Sequence, residues 1–256
     1  MTETLLSGSE QKNTLSIRLS VDGFCFISTS PGHDDRPVEY SVNRQLPMAA
    51  NFKQAQRQFD WLQDSNDSVN VVLCTRRFTL VPLELFDDEQ CEPLFHQAQS
   101  FRDNECIRYN VLSRSGLVVV FGIDKALLDL LEKSYPSLHI STQLAILAEH
   151  FFVKYRFAPG RKLFVNISHS HLLLVAIDRR QVLIANTLEC EQLSDRLYVI
   201  LNVWKQVGMS QEDDELILGD TDEKSGDMIQ ELKRFIRHVS LMEPPRHYDL
   251  LVALNE

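Results

Sequence analysis

One hydrophobic pattern occurs twice in this chain, and it constrains the fold more than any other sequence feature. Residues 162–189 contain three apolar runs separated by short polar breaks, which is the pattern of three successive β-strands. Residues 15–29 match residues 163–177 at an offset of 148 positions (163 minus 15), with Ile17 aligned on Val165. We therefore expect a duplicated architecture in which these two stretches form equivalent hairpins.

The first half of the chain predicts a sheet, a helix and an insertion. The dipeptide Asp22-Gly23 favours a two-residue hairpin turn, because both of its residues tolerate positive φ. Apolar residues at helical spacing predict an amphipathic helix over residues 49–63, and the continuous apolar run 69–74 predicts a buried strand. Residues 76–123 have no counterpart in the second half, so we interpret them as an inserted subdomain.

A long apolar helix and its end mark the division between the two halves. Pro159 and Gly160 terminate this helix, whose regular apolar face we expect to lie in the core at the junction of two lobes. We place the first lobe at residues 1–158, its insertion at about 76–123, and the second lobe at 159–256. The apolar face consists of Leu144, Leu147, Ala148, Phe151, Phe152 and Tyr155.

Composition and charge exclude several classes of function. The chain carries 36 acidic and 26 basic residues and a net charge of -10, which argues against binding of nucleic acid through its phosphates. The first residues lack the pattern of a secretory signal, and no apolar run approaches the roughly 20 residues of a membrane span. We expect a cytoplasmic protein without membrane insertion. Neither the five cysteines nor the pair His169-x-His171 has the spacing of a zinc site.

The predicted element order β-β-β-α-β-α-β in the second half, with a partial echo in the first, resembles the duplicated ribonuclease-H-like lobes of the actin, hexokinase and Hsp70 superfamily. More narrowly, the chain is similar to a bacterial family of uncharacterised proteins, a domain of unknown function with an actin-like ATPase fold, which is related at a distance to pilus-assembly and cell-division actin homologues. The resemblance implies an α/β fold of two lobes with mixed sheets flanked by helices, and a small inserted subdomain in the first lobe.

The motifs that serve magnesium and phosphate in active members of this superfamily are altered here. Each lobe of an active member opens with a strand that ends in Asp-x-Gly. In this chain Arg18 and Ser20 stand at those positions in the first lobe, and Asn166 and Ser168 stand there in the second. Magnesium prefers carboxylate oxygens, and serine lacks the freedom of glycine near a phosphate. We therefore expect no catalytic residues and no metal ligands in this set.

The resemblance implies a vestigial nucleotide cleft between the lobes. The same residues also suit hairpin turns and strand ends, which is the more common origin of such short patterns. The strand-end pair Gly219-Asp220 echoes the turn that holds adenosine in the superfamily. The candidate cleft residues are Arg18, Ser20, Asp22, Gly23, Asn166, Ser168, His169, Ser170, Gly219 and Asp220.

Two functions from different classes are compatible with this reading. The first is a non-catalytic actin-like module that binds an unknown protein partner, with no cofactor or with only weak ATP binding. The alternative is an ATP-binding ATPase or a sugar-kinase-like phosphotransferase that recruits acids from elsewhere, for example Asp22 or Asp220.

Overall fold

A computed structural model of the protein describes residues 13–30, 36–219, 225–243 and 246–254. Within these ranges the chain forms three β-sheets that are flanked by α-helices. The elements are, in chain order, β1 (Thr14–Ser20), β2 (Gly23–Ser28), β3 (Val38–Tyr40), α1 (Met48–Gln58), β4 (Ser68–Leu73), β5 (Phe78–Pro82), α2 (Cys91–Ala98), β6 (Glu105–Leu112), β7 (Leu117–Asp124), α3 (Lys125–Ser134), β8 (Leu138–Thr142), α4 (Gln143–Tyr155), β9 (Lys162–Ile167), β10 (His171–Ile177), β11 (Val182–Glu189), α5 (Leu193–Gln206), β12 (Glu215–Gly219), α6 (Ser225–Leu232), β13 (His238–Leu241) and α7 (Tyr248–Ala253).

The two five-stranded sheets have the same topology. Their strand orders are β3-β2-β1-β4-β8 and β11-β10-β9-β12-β13. In both sheets each of the first three strands is antiparallel to its neighbour within that group, and the last three strands are parallel to one another. Leu19 lies opposite Phe24 in the first hairpin, and Ile167 lies opposite Leu172 in the second, so the two registers coincide at the offset of 148. The predicted equivalence of the hairpins is confirmed.

The turn of the first hairpin differs from the prediction. Ser20 pairs with Gly23, so the two loop residues are Val21 and Asp22 and not Asp22 and Gly23. Among the described residues His247 is the one non-glycine with positive φ, so neither loop residue has the conformation that we expected for this turn. The register of the strands, which buries Leu19 opposite Phe24, decides which residues form the loop.

Three elements of the structure were not predicted from the sequence. Strand β5 pairs with β7 and completes a three-stranded sheet, β5-β7-β6, within the predicted insertion. Strand β8 pairs with β4 and completes the first five-stranded sheet, and helix α7 follows β13. All three are short, and segments of this length carry too few apolar repeats for a period to be recognised.

Helices α4 and α7 each follow one five-stranded sheet in the chain and pack against the other. Helix α4 follows the first sheet and packs against β10 and β11 of the second, whereas α7 follows the second sheet and packs against β1 and β4 of the first. The two helices also contact each other. The predicted bounds of the lobes, 158 and 159, stay a prediction, and α7 lies on the sheet of the first lobe.

The predicted core helix is buried where the two sheets meet. The ring of Phe151 is 1% exposed and is stacked on Phe164 of β9 with the ring centroids 3.9 Å apart. Leu147 and Phe152 are also buried. The expectation that these residues belong to the core is therefore confirmed. The side chain of Thr142 caps the first turn of α4 by accepting the Ala145 amide.

Candidate functional site

A cleft of about 930 Å³ lies between the turns of the β1–β2 and β9–β10 hairpins. The strand ends of both lobes and the start of α4 form its walls. Most of the residues that the sequence analysis singled out line this cleft, although their positions in the chain are far apart. They are Arg18, Ser20, Asp22, Gly23, Asn166, Ser168, His169 and Ser170.

Gly219 does not line this cleft. Gly219 lies at the end of β12 beside Asn166 of β9. The buried side chain of Met242 fills the space next to it, and a Cβ atom at position 219 would overlap the Met242 sulfur. The space next to this glycine is therefore occupied by a protein side chain. Asp220 lies outside the described residues.

Arg18 is held by a carboxylate that was not among the predicted site residues. Its Nη1 atom lies 3.2 Å from Oδ1 of Asp249 in α7, whose side chain is 0% exposed. The other carboxylate oxygen accepts a hydrogen bond of 2.7 Å from Nε2 of Gln143, at the start of α4. The arginine that replaces the expected acid is thus part of a buried network that joins β1, α4 and α7. An isolated Asp among the apolar residues of α7 is the signal that could have indicated it.

The side chain of His247 lies against strands β1, β2 and β3 of the first five-stranded sheet. Its backbone has φ 55°, a conformation that is uncommon for a residue with a side chain. The Nδ1 atom lies 3.1 Å from Nη2 of Arg18 and 3.5 Å from Sγ of Cys25, and Nε2 lies 3.8 Å from a carboxylate oxygen of Glu39. Because Arg18, Cys25 and Glu39 are neighbours across β1, β2 and β3, one imidazole contacts three strands.

The two hairpin turns contact each other across the cleft. The Ser170 hydroxyl lies 2.7 Å and 2.9 Å from the two carboxylate oxygens of Asp22, and the Ser170 amide donates to the same carboxylate at 3.2 Å. Nδ1 of His171 lies 2.5 Å from the Ser170 hydroxyl, and Nη2 of Arg44 lies 3.4 Å from Asp22. Burial lowers the pKa of His171, although the charge of Asp22 opposes this effect.

Arg196 of α5 determines the shape of the second turn. Its Nη2 atom donates to the carbonyl oxygens of Ser168 and His169 at 2.9 Å and 2.8 Å, and its Nε donates to the carbonyl of Cys190. These bonds orient the turn so that the Ser170 amide faces Asp22. No local sequence signal pointed to Arg196, because its partners lie more than twenty residues away in two of the three cases.

Several cations of the cleft wall are neutralised by acids of the protein. Arg76 lies 2.6 Å from Glu189 at the end of β11, and this pair also crosses the cleft. Arg77 donates to Glu105 at 2.5 Å, and this hydrogen bond raises the pKa of Arg77 against the opposing effect of burial. The cleft is therefore charged but internally balanced at these positions.

The described part of the chain contains no group of three or more His, Cys, Asp or Glu side chains that could hold a metal ion. No helix in the described ranges is long and apolar enough to cross a membrane.

This architecture has close structural counterparts. The chain is similar to a protein of Bacteroides thetaiotaomicron that has an actin-like ATPase fold and unknown function, with 36% sequence identity, a TM-score of 0.87, and coverage of 99% of this chain and 100% of the other. The fold of this protein is that of the actin-like ATPases. Its residues 3–239 match the model of a family described as protein of unknown function (DUF3822), and the chain belongs to that family.

A more distant likeness concerns the fold alone. A structure of the PilM-PilN type IV pilus biogenesis complex matches with a TM-score of 0.65 at 10% identity, covering 94% of this chain and 97% of the other. No curated protein sequence matches the chain.

Proposed function

We propose that this protein is a non-catalytic actin-like module that binds a protein partner, and that its cleft does not take magnesium ATP. The observation that carries this proposal is the pairing of Arg18, at the position of an expected magnesium-serving acid, with the buried Asp249. A guanidinium at that place repels a divalent cation, and its partner carboxylate is engaged and inaccessible. The equivalent residue of the second lobe, Asn166, offers a neutral oxygen where magnesium prefers a carboxylate.

The turns also do not fit a polyphosphate. The carboxylate of Asp22 lies between the two hairpin turns, 14% exposed, and it occupies the donors of Ser170. Phosphoryl transfer depends on metal ions and donors that neutralise developing negative charge. Here the donors of the second turn already bind a protein anion. At the end of β12, the side chain of Met242 also fills the space beside Gly219.

The proposal of a protein partner rests on the fold and on the loss of the cofactor site. A protein of this fold, PilM, is known in a complex with PilN. A module of two lobes that retains a large, well-packed core but not the nucleotide chemistry is expected to act through its surface. With a net charge of -10, we expect this surface to contact protein and not nucleic acid, in the cytoplasm.

Titration with nucleotide tests the first part of the proposal. A nucleotide present at 100 times its dissociation constant stabilises a fold by about 2.7 kcal/mol. We expect ATP with magnesium to change neither the melting temperature nor the heat of titration, and we expect no phosphate release above the blank. Magnesium-dependent turnover that Asp22→Ala or Asp220→Ala abolishes would support the phosphotransferase instead.

Reciprocal purification tests the second part. A partner is first captured on the tagged protein and then purified by itself. We expect the purified partner to bind the isolated protein with the same affinity in the presence of ATP, in the presence of ADP and without nucleotide. An affinity that depends on nucleotide would contradict the proposal.

A further inference from the structure

The carboxylate of Asp22 accepts hydrogen bonds from Ser170 of the opposite lobe. Ser170 supplies both its amide and its hydroxyl, at 3.2 Å and 2.7 Å from the same oxygen. His171 lies 3.9 Å from that oxygen, and Arg44 of the first lobe lies 3.4 Å from the other. The amide and the hydroxyl of Ser170 converge on one oxygen and so form a receptor for an anion, and hydrogen bonds to an ionised acceptor are the stronger kind.

The hydrogen bonds run in a single direction. A carboxylate only accepts, so the Ser170 hydroxyl donates to Asp22 and has its oxygen free to accept from Nδ1–H of His171. A neutral imidazole is sufficient for this series of hydrogen bonds, in which His171 donates to Ser170 and Ser170 donates to Asp22. Each group in it is therefore satisfied as long as Asp22 is ionised.

The turn that carries Ser170 is held by hydrogen bonds within its own lobe. Arg196 holds the carbonyl groups of Ser168 and His169, and the Ser168 amide donates to the carbonyl of His171 at 2.9 Å. The turn therefore presents the Ser170 amide toward the first lobe through bonds that do not involve Asp22. Little ordering is needed when an anion binds, which favours binding.

We infer that Asp22 is an internal anion that occupies and thereby closes an anion site in the turn of the second lobe, an autoinhibitory contact in which the first lobe supplies the ligand. The contact joins equivalent positions, because Asp22 and Ser170 are each the second loop residue of their hairpin, 148 residues apart. An external oxyanion reaches the Ser170 site only when Asp22 leaves it. This inference shares the contact between Asp22 and Ser170 with the proposed function, but it does not depend on the identity of any partner, and its tests use no nucleotide.

Hydrogen exchange tests the closure. In Asp22→Ala we expect the amides of residues 168–171 to exchange about tenfold faster or more, because a charge-assisted contact is lost. Ser170→Ala should give the same increase at Asp22 and its neighbours, and the double variant should add little to either single change. Asp178→Ala is the matched control, since Asp178 caps the β10–β11 turn of the same lobe by accepting from Arg180 and Gln181.

Asp22→Asn protects the test against misfolding. It removes the charge but keeps a residue that suits a hairpin turn. Unchanged exchange at residues 168–171 in both variants at position 22 would overturn the inference, as would an equal increase in Asp178→Ala.

Inorganic phosphate tests the anion site directly. Phosphate should slow exchange of the 168–171 turn in Asp22→Ala and raise its melting temperature by more than that of the parent, which measures the general effect of the salt. Asp22→Ala with Ser170→Ala should lose this difference. If phosphate stabilises Asp22→Ala no more than the parent, Asp22 is not a stand-in for an anion and the inference fails, whatever the nucleotide and partner experiments show.

Discussion

Arg18 and Asp249 form a salt bridge of 3.2 Å between a strand of the first lobe and the helix at the end of the described chain, 231 positions away. The carboxylate is completely buried and the arginine side chain is 18% exposed at the wall of the cleft. Removing a carboxylate from water is costly, and good geometry together with further hydrogen bonds offsets that cost. The pair therefore determines both the charge at the cleft wall and the position of α7.

Loss of the arginine should destabilise the fold. Arg18→Met leaves a buried carboxylate without its cation, and we expect the free energy of unfolding to fall by about 3 kcal/mol. Arg234→Met is the control, because Arg234 is 70% exposed and pairs with Glu231 on the surface, where such pairs contribute about 0–1 kcal/mol. Denaturant unfolding measures both. An equal decrease in the free energy of unfolding in the two variants would show that the buried pair stabilises the fold no more than the surface pair does.

Phe151 should be essential for the junction of the lobes. Its ring packs on Phe164 and on Tyr248 of α7, and truncation of a buried Phe costs about 3–5 kcal/mol. We expect Phe151→Ala to lower the melting temperature and the soluble yield markedly. Val153→Ala on the exposed side of the same helix should change little, since Val153 is 43% exposed. A melting temperature for Phe151→Ala that matches the parent would contradict the packing described here.

Stability should decrease when the pH falls below the ordinary pKa of histidine. Burial, and then the charge of Lys154, lower the pKa of His150 from its ordinary value of 6.5. The Tyr248 hydroxyl lies 2.9 Å from both Nε2 of His150 and Nζ of Lys154, so a neutral His150 accepts from Tyr248 while Lys154 donates to it. The unfolded chain binds this proton more readily, so acid favours unfolding through this window.

His150→Gln should reduce the slope of stability against pH as the pH falls below the ordinary histidine pKa of 6.5. A smaller slope will remain, because the pKa of His171 is lowered as well. Unfolding by denaturant at several pH values provides the measurement. An unchanged slope in His150→Gln would rule out this group as a source of the acid sensitivity.

Gly219→Ala should destabilise the protein by overpacking. The added methyl group overlaps the side chain of Met242, and insertions of this kind cost about 1–3 kcal/mol. Met242→Ala in the same chain should recover part of the loss. Gly226→Ala is the control, since nothing lies within 4 Å of a Cβ atom there and alanine favours the helix. If Gly219→Ala has the stability of the parent, the Met242 side chain moves aside without cost, and the prediction of overpacking is wrong.

The sequence predicted the two hairpins because alternation is a local property. Alternating apolar residues such as Leu15, Ile17 and Leu19 report which face of a strand is buried, and the same positions are buried in β9. The apolar face of α4 was predicted for the same reason. The loop of the first hairpin was placed one residue too late, because the turn dipeptide was weighed without the register of the strands.

The candidate residues were selected by resemblance, and the tertiary structure decided which of them meet. Periodicity determines that a strand or helix exists, but not which distant residue its polar groups contact. The partners Asp249 for Arg18 and Asp22 for Ser170 depend on how α7 and the two hairpins are placed by the sheets. Such pairs are separated by more than a hundred residues and leave no local pattern, because packing and not chain proximity brings them together.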